Sequence, residues 1–316
     1  MKFALIGTAG YIAPRHLQAI KATNNELVAA LDKSDNVGVM DSYFPQASFF
    51  TEFERFDRHI YKLHNTKDKL DFISIASPNY LHDAHIRFAL RNGCDAIYEK
   101  PLVLNPHNIE QLQMLEREFG KRIYTILQLR LHSGIVDLKQ KVEQELKENP
   151  NKKYNINLTY ITSRGKWYFV SWKGNEAKSG GIASNIGVHF FDMLTWIFGS
   201  VQNNKVHIKK DDVNAGVLEL AHANVKWFLS VNDEYLPQEA KEKNQRTFRN
   251  ILVDNEEFEF SEGFTDLHIQ SYQEILSGDG FGLEDARHSI DIVSQIRNSS
   301  ASSLQGDFHP FCKLVG

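Results

Sequence analysis

The sequence predicts an α/β chain of two domains: an N-terminal Rossmann dinucleotide-binding domain and a C-terminal α+β domain with a large, mostly antiparallel open sheet. Three observations carry the prediction. Short continuous apolar runs alternate with helical stretches up to about residue 125, the rhythm of a parallel sheet buried on both faces. A glycine turn follows the first run, and an acid, Asp32, ends the second, which is the opening of a dinucleotide-binding unit. From Tyr154 onward the apolar residues alternate singly instead, as in half-buried strands.

Phe3-Ala4-Leu5-Ile6 is the first strand, ending at Gly7. The turn reads GxxGxxA through Gly7, Gly10 and Ala13, one residue longer between its glycines than GxGxxG. Its physical requirements are met: Gly7 and Gly10 let backbone approach a pyrophosphate, and the amides at the helix start, around Tyr11 and Ile12, attract phosphate. The helix runs to about Lys21, and Leu27 to Leu31 is the second strand, closed by Asp32. A carboxylate there accepts both ribose hydroxyls of NAD and repels a 2′-phosphate, so NAD is favoured over NADP. Strand 71–76, helix 81–92, strand 96–98, helix 106–119 and strand 122–127 continue the unit. Glu99-Lys100-Pro101 follows the third of these at a strand's carboxyl end, where open α/β sheets bind ligands.

The second domain, 126–316, opens with a helix over 133–147 and the strand Tyr154 to Ile161. Further alternating runs span 204–209, 215–220, 225–231 and 249–253, with helices over 186–198, 266–276 and 283–299. An open sheet with one apolar face to cover predicts self-association as a dimer or tetramer.

Hydrophobic residues make up 42% and charged residues 24% of 316, and the net charge is -4. No basic field for nucleic acid and no polybasic patch for a membrane exists in that balance. Cys94 and Cys312 are too few for a zinc site or a disulfide framework, so no metal is expected and a reducing cytoplasm is the expected compartment.

Ser77-Pro78-Asn79-Tyr80-Leu81-His82, Glu99-Lys100-Pro101-Leu102 and the distant Gly180-Gly181 to His189 and Asp192 resemble the Gfo/Idh/MocA oxidoreductases along essentially the whole chain. Within that family, Gly10 to His16, Ile161 to Tyr168, Ser171 to Gly174 and Phe260 to His268 are similar to the UDP-N-acetylglucosaminuronate 3-dehydrogenases of bacterial O-antigen biosynthesis, the WlbA/WbpB type. The resemblance implies NAD-dependent oxidation of the sugar 3-hydroxyl to a ketone, with 2-oxoglutarate as an oxidant able to regenerate the cofactor. It also implies that Ser77, Pro78, Asn79, His82, Glu99 and Lys100 serve the cofactor.

Hydride transfer from a secondary alcohol needs a base for the hydroxyl proton and a cation or donor for the developing alkoxide. Lys100 and His189 are the candidates, with Asp192 three residues on as an orienting partner; which of the two takes the proton stays open. Asn185, where many family members carry aspartate, either orients a sugar hydroxyl or caps a helix. Arg164 and Lys173 answer the anionic charge of a uronate, and Tyr168 and Trp172 offer rings to sugar faces; Trp167 is expected in the core. Gln128, Arg130 and His132 follow the last strand of the first domain, Arg130 being the best suited to an anion. The competing readings are another sugar or polyol dehydrogenase of this family and a non-catalytic NAD-binding regulator.

Overall fold

The computed structural model describes residues 1–258 and 263–315. The first half of the chain forms β1 (Lys2–Ile6), α1 (Ala13–Ala22), β2 (Glu26–Leu31), β3 (Ser48–Phe50), α2 (Phe53–Leu63), β4 (Phe72–Ile75), α3 (His82–Arg91), β5 (Asp95–Tyr98), α4 (His107–Phe119) and β6 (Ile123–Thr125). The six strands make one sheet in the order β3-β2-β1-β4-β5-β6, every pair parallel. The order reverses between β1 and β4, creating the crevice beyond the strands' carboxyl ends that open α/β sheets use for ligands. The sequence pattern anticipates every element except β3 and α2. Three residues of β3 are too few to show a period, and α2 buries only Phe56 and Ile60, one narrow i, i+4 stripe on a polar helix.

The second half continues with α5 (Ser133–Glu148), β7 (Tyr154–Thr162), α6 (Trp167–Val170), α7 (Glu176–Ser179), a π-helical turn over Ala183–Gly187, α8 (Val188–Phe198), β8 (Val201–Lys209), β9 (Val213–Leu220), β10 (Ala223–Ser230), α9 (Gln238–Glu242), β11 (Thr247–Val253), β12 (Glu256–Glu257), α10 (Leu267–Ser277) and α11 (Leu283–Asn298). Its sheet runs β12-β11-β7-β10-β9-β8. All pairs are antiparallel except β7 with β10, which are parallel. Alternation assigns each strand's two faces but not its neighbours, which is why the parallel pair is invisible in the sequence.

Two compact units result. One comprises Met1–Leu131 with Thr265–Arg287, the other His132–Phe264 with His288–Gly316. A boundary drawn near residue 125 from strand rhythm therefore differs from the structural division, because α10 returns to the first unit. There Tyr272 and Ile275 enter the core with Phe3, Leu5, Leu17 and Ile97, and Tyr272 stacks on Phe3 at 6.0 Å. In the second unit, Trp227 meets Phe191 of α8 at 5.5 Å. Its neighbour Phe228 points to the opposite face, against His309 and Phe311. The end of the chain thus covers part of the apolar face that the sequence reading left for a partner. No helix among the described residues is long and apolar enough to cross a membrane. Phe260, Ser261 and Glu262, used in the sequence comparison above, lie outside the described residues.

Candidate active site

In the first unit the glycine turn is shaped by contact with β4. Gly7 has φ +93°, and a Cβ there would stand 2.5 Å from the carbonyl carbon of Ala76, so only glycine fits between the two strand ends. The Gly7 amide donates to Leu31 O at 2.8 Å and that of Gly10 to Gly7 O at 3.1 Å. The Ala9 amide donates to Asp32 Oδ2 and that of Ser34 to Asp32 Oδ1, both at 2.9 Å. Asp32 is thereby fixed in place at the end of β2, each oxygen keeping a lone pair for a ribose hydroxyl. Among the described residues, the amides of Tyr11 and Ile12 donate to no protein acceptor, and Tyr11 is 96% exposed. Free amides at the start of α1, a flat glycine turn and a fixed carboxylate are the donor and acceptor set a dinucleotide requires. The residues fit NAD.

Between β4 and α3, Ser77 and Asn79 are buried and Pro78 is half-buried. Ser77 Oγ pairs with His85 Nδ1 at 2.9 Å. His82 is completely buried, its Nδ1 lying 2.7 Å from Pro101 O and its Nε2 2.8 Å from Ser77 O. Burial lowers the His82 pKa against the pull of those carbonyls; both neighbours are acceptors, so the neutral imidazole donates to one of them at a time. The Lys100–Pro101 peptide is cis, and Lys100 is half-buried. Glu99, just before it, is buried and accepts from His16 Nε2 at 3.1 Å and His268 Nε2 at 2.8 Å. Burial alone would raise the Glu99 pKa; the two imidazole hydrogen bonds outweigh it and hold the carboxyl well below its ordinary value.

Beyond β6, Arg130 is buried, with Nη1 2.9 Å from Asp285 Oδ1 and Nη2 2.7 Å from Asp285 O. Its guanidinium also lies 5.1 Å from the Phe281 ring. The anion that faces Arg130 is therefore Asp285, at the start of α11. Gln128 is half-buried, and its Oε1 is enclosed without a hydrogen-bond partner among the described residues.

In the second unit, Asn185 sits inside the π-helical turn, not at a cap, and such turns mark functional positions in helices. Its Nδ2 donates to Tyr168 Oη and to Lys173 O, both at 3.1 Å. Tyr168 is buried, and burial raises its hydroxyl pKa against the Asn185 hydrogen bond. Trp167, expected in the core, is 52% exposed instead. On the single turn of α6 only one of the two rings can face inward, and Tyr168 has Asn185 to satisfy its hydroxyl. Gly174 closes the loop: a Cβ there would come within 2.5 Å of Phe169 Cα. Lys173 Nζ lies 4.1 Å from the Trp172 ring centroid, a cation–π contact. Arg164 is exposed, Trp172 and Lys173 half-buried. His189 is half-buried on the first turn of α8, and Asp192, one turn on, is buried.

Each unit thus gathers its own set: Gly7, Gly10, Tyr11, Ile12, Asp32, the Ser77 loop and Lys100 in one, Asn185, Tyr168, Trp172, Lys173 and His189 in the other. Sequence reasoning missed His16, His85, His268 and Tyr272. A polar His16 among the buried residues of α1, Ala13, Leu17 and Ile20, was the available signal, since a buried imidazole demands partners.

Comparison with known proteins agrees with this geometry. Residues 1–126 match the Gfo/Idh/MocA description "Oxidoreductase family, NAD-binding Rossmann fold", and residues 152–236 match "Oxidoreductase family, C-terminal alpha/beta domain". The WlbA (WbpB) dehydrogenase of Thermus thermophilus is 49% identical, with 98% of this chain and 99% of that one covered at a TM-score of 0.94. It has been solved with NAD and alpha-ketoglutarate and with NAD and UDP-GlcNAcA. The D-glucoside 3-dehydrogenase of Escherichia coli is 26% identical over 63% of this chain and 54% of its own length. A putative UDP-kanosamine synthase oxidoreductase subunit of Amycolatopsis mediterranei is 30% identical over 49% of this chain and 43% of its own. The chain spans about half the length of these curated relatives. The two family matches, the parallel sheet with its dinucleotide turn and the mixed second sheet lead to one assignment: the chain belongs to the Gfo/Idh/MocA oxidoreductase family.

Proposed function

We propose that this protein oxidises the 3-hydroxyl of UDP-N-acetylglucosaminuronic acid to the 3-keto sugar with NAD. The observation that carries the reading is the end-to-end likeness to the Thermus dehydrogenase solved with NAD and UDP-GlcNAcA. The basic and aromatic group Arg164, Trp172 and Lys173 supports an anionic sugar over a neutral one.

NAD, when bound, supplies the acceptor for the hydride that leaves C3 with its electron pair. The chain's own residues do the rest. Asp32 holds the adenosine ribose, and the amides of Tyr11 and Ile12 hold the pyrophosphate. His189 takes the hydroxyl proton on an imidazole nitrogen, and the Lys100 ammonium stabilises the negative charge left on oxygen as the C=O bond forms. Arg164 and Lys173 bind the substrate's anionic groups, Asn185 and Tyr168 shape the loop that carries Lys173, and Gln128 offers an acceptor to a hydroxyl.

The reading includes 2-oxoglutarate as the oxidant that restores the cofactor, supported by the Thermus complex with alpha-ketoglutarate. It places the reaction in the cytoplasm, ahead of a transamination at C3, in the making of lipopolysaccharide O-antigen sugars. It also includes self-association, supported by the exposed Trp167, Phe169 and Val170 on α6.

Purified protein incubated with NAD and a panel of UDP-sugars tests the reading. Turnover of UDP-N-acetylglucosaminuronate but not UDP-N-acetylglucosamine is expected. Turnover of free glucosides or inositols alone points to the neutral-sugar dehydrogenases of the family, and NAD binding with no turnover of any sugar points to a non-catalytic regulator. Protein freed of excess NAD is expected to keep turning over when 2-oxoglutarate is supplied, releasing 2-hydroxyglutarate; its absence removes that part of the proposal.

A further inference from the structure

Three elements of the first unit converge on the residue that precedes Lys100. Ser74 Oγ of β4 lies 2.6 Å from Tyr272 Oη of α10, and that hydroxyl lies 2.7 Å from Nδ1 of His16 on α1. His16 Nε2 reaches Glu99 Oε1 at 3.1 Å, where His268 Nε2 of α10 arrives at 2.8 Å. Ser74, His16, Glu99, His268 and Tyr272 are all buried.

A neutral His16 with its proton on Nε2 satisfies the whole chain in one direction. Ser74 donates to the Tyr272 oxygen, Tyr272 donates to Nδ1, and Nε2–H donates to the Glu99 carboxylate. Burial, which keeps the imidazole neutral and the phenol protonated, favours that arrangement. The same three ligand atoms of His16, Glu99 and His268 lie within 4.8 Å of one another. Their mutual hydrogen bonds already account for that closeness, so a metal ion is not needed to explain it.

We propose that Glu99 is a positioning residue whose carboxylate is clamped by His16 and His268, and that α10 is therefore a working part of the cofactor-binding unit. The clamp fixes the backbone from which Lys100 projects. On its other side the turn is already tied: the Glu99 amide donates to Ile75 O at 2.9 Å, and the buried His82 ring is packed between Pro101 O and Ser77 O. Misplacement of a reacting group by about 1 Å costs on the order of a hundredfold in rate, so a loosened Lys100 turn lowers turnover with little change in substrate binding. The proposal rests on the role given to Lys100 above.

The test compares His268→Leu, which removes the donor to Glu99, with His268→Gln, which can restore one. For His268→Leu the expected result is a fall in kcat of about tenfold or more, with KM for the UDP-uronate and calorimetric affinity for NAD each within about twofold of the parent. His268→Gln is expected to recover most of the lost kcat. A His268→Leu protein with parental kcat, one whose kcat, KM and NAD affinity all decline together, or a His268→Gln protein as slow as His268→Leu overturns the proposal. Nitrogen-15 NMR of the imidazoles in the unaltered protein at pH 7 supplies a readout that needs neither a folded variant nor turnover. It is expected to show His16 neutral and protonated on Nε2; a cationic His16, or one protonated on Nδ1, overturns the proposal. Failure of the unaltered protein to oxidise the UDP-uronate counts against the proposed function alone, because the NMR result still decides the clamp.

Discussion

The side-chain amide of Asn185 donates to the phenolic oxygen of Tyr168 at 3.1 Å, and the same nitrogen reaches the carbonyl of Lys173. That relationship explains an amide at a position where many members of the family carry an acid. A carboxylate could still accept from the Tyr168 hydroxyl, but it would set an acceptor oxygen against the Lys173 carbonyl with no proton to offer it. Asn185→Asp is therefore expected to free the loop bearing Trp172 and Lys173. Losing the bond to the Lys173 carbonyl and setting a negative oxygen against it costs about 1–3 kcal/mol, read as a rise in KM for the UDP-uronate of about tenfold. Tyr168→Phe, which removes only one partner, is expected to show a smaller rise. An unchanged KM in Asn185→Asp contradicts the tether.

In the proposed function Asp32 sets the choice of cofactor. Replacing it by serine removes the ribose acceptor and the negative charge, so KM for NAD is expected to rise and measurable use of NADP to appear. Steady-state kinetics with both cofactors decide it; a variant with parental NAD kinetics and no NADP activity contradicts the assignment.

Lys100 and His189 are assigned different parts of one proton and charge movement. Each alanine variant is expected to lose about 10²–10⁴ in kcat. His189→Ala should also lose the acid limb of the kcat/KM profile, since the base no longer titrates, whereas Lys100→Ala should keep it. The reverse pattern exchanges the two roles, and full turnover in either variant removes that residue from the mechanism.

Acid should destabilise both units. Burial lowers His85, in the first, and His309, in the second, from 6.5 to about 4. The unfolded chain therefore takes up these protons first. The stability tied to the neutral rings is complete above pH 6.5 and is lost as pH falls toward about 4. Linkage gives a loss of about 2 kcal/mol for each ring by pH 5. Thermal denaturation at pH 7 and pH 5 is expected to show a Tm several degrees lower at the acid value, an effect reduced in His85→Gln. A Tm that does not change over that range contradicts the burial of these rings.

The parts of the site legible in the sequence are those encoded by neighbouring residues. The Gly7 turn, Asp32 at the end of β2 and Lys100 at the end of β5 each announce themselves through a strand and the residue that stops it. What stayed hidden depends on distant partners. Glu99 is 169 residues from His268, and nothing local to either marks the pairing. Trp167 and Tyr168 share a single helical turn, too short for periodicity to say which ring is inside. The pairing of Arg130 with Asp285, 155 residues away, is just as invisible locally. The π-helical turn before α8 has no period of its own and emerges only from the folded backbone.

A hydride that leaves C3 of a UDP-uronate can be followed by isotope transfer. UDP-N-acetylglucosaminuronate carrying deuterium at C3 is incubated with the protein, NAD and 2-oxoglutarate, and the products are weighed by mass spectrometry. The keto sugar is expected to have lost its deuterium, with the label recovered at C2 of 2-hydroxyglutarate or, without the keto acid, in the reduced cofactor. A sugar that keeps its deuterium through turnover, or that is not oxidised at all, contradicts the proposed function.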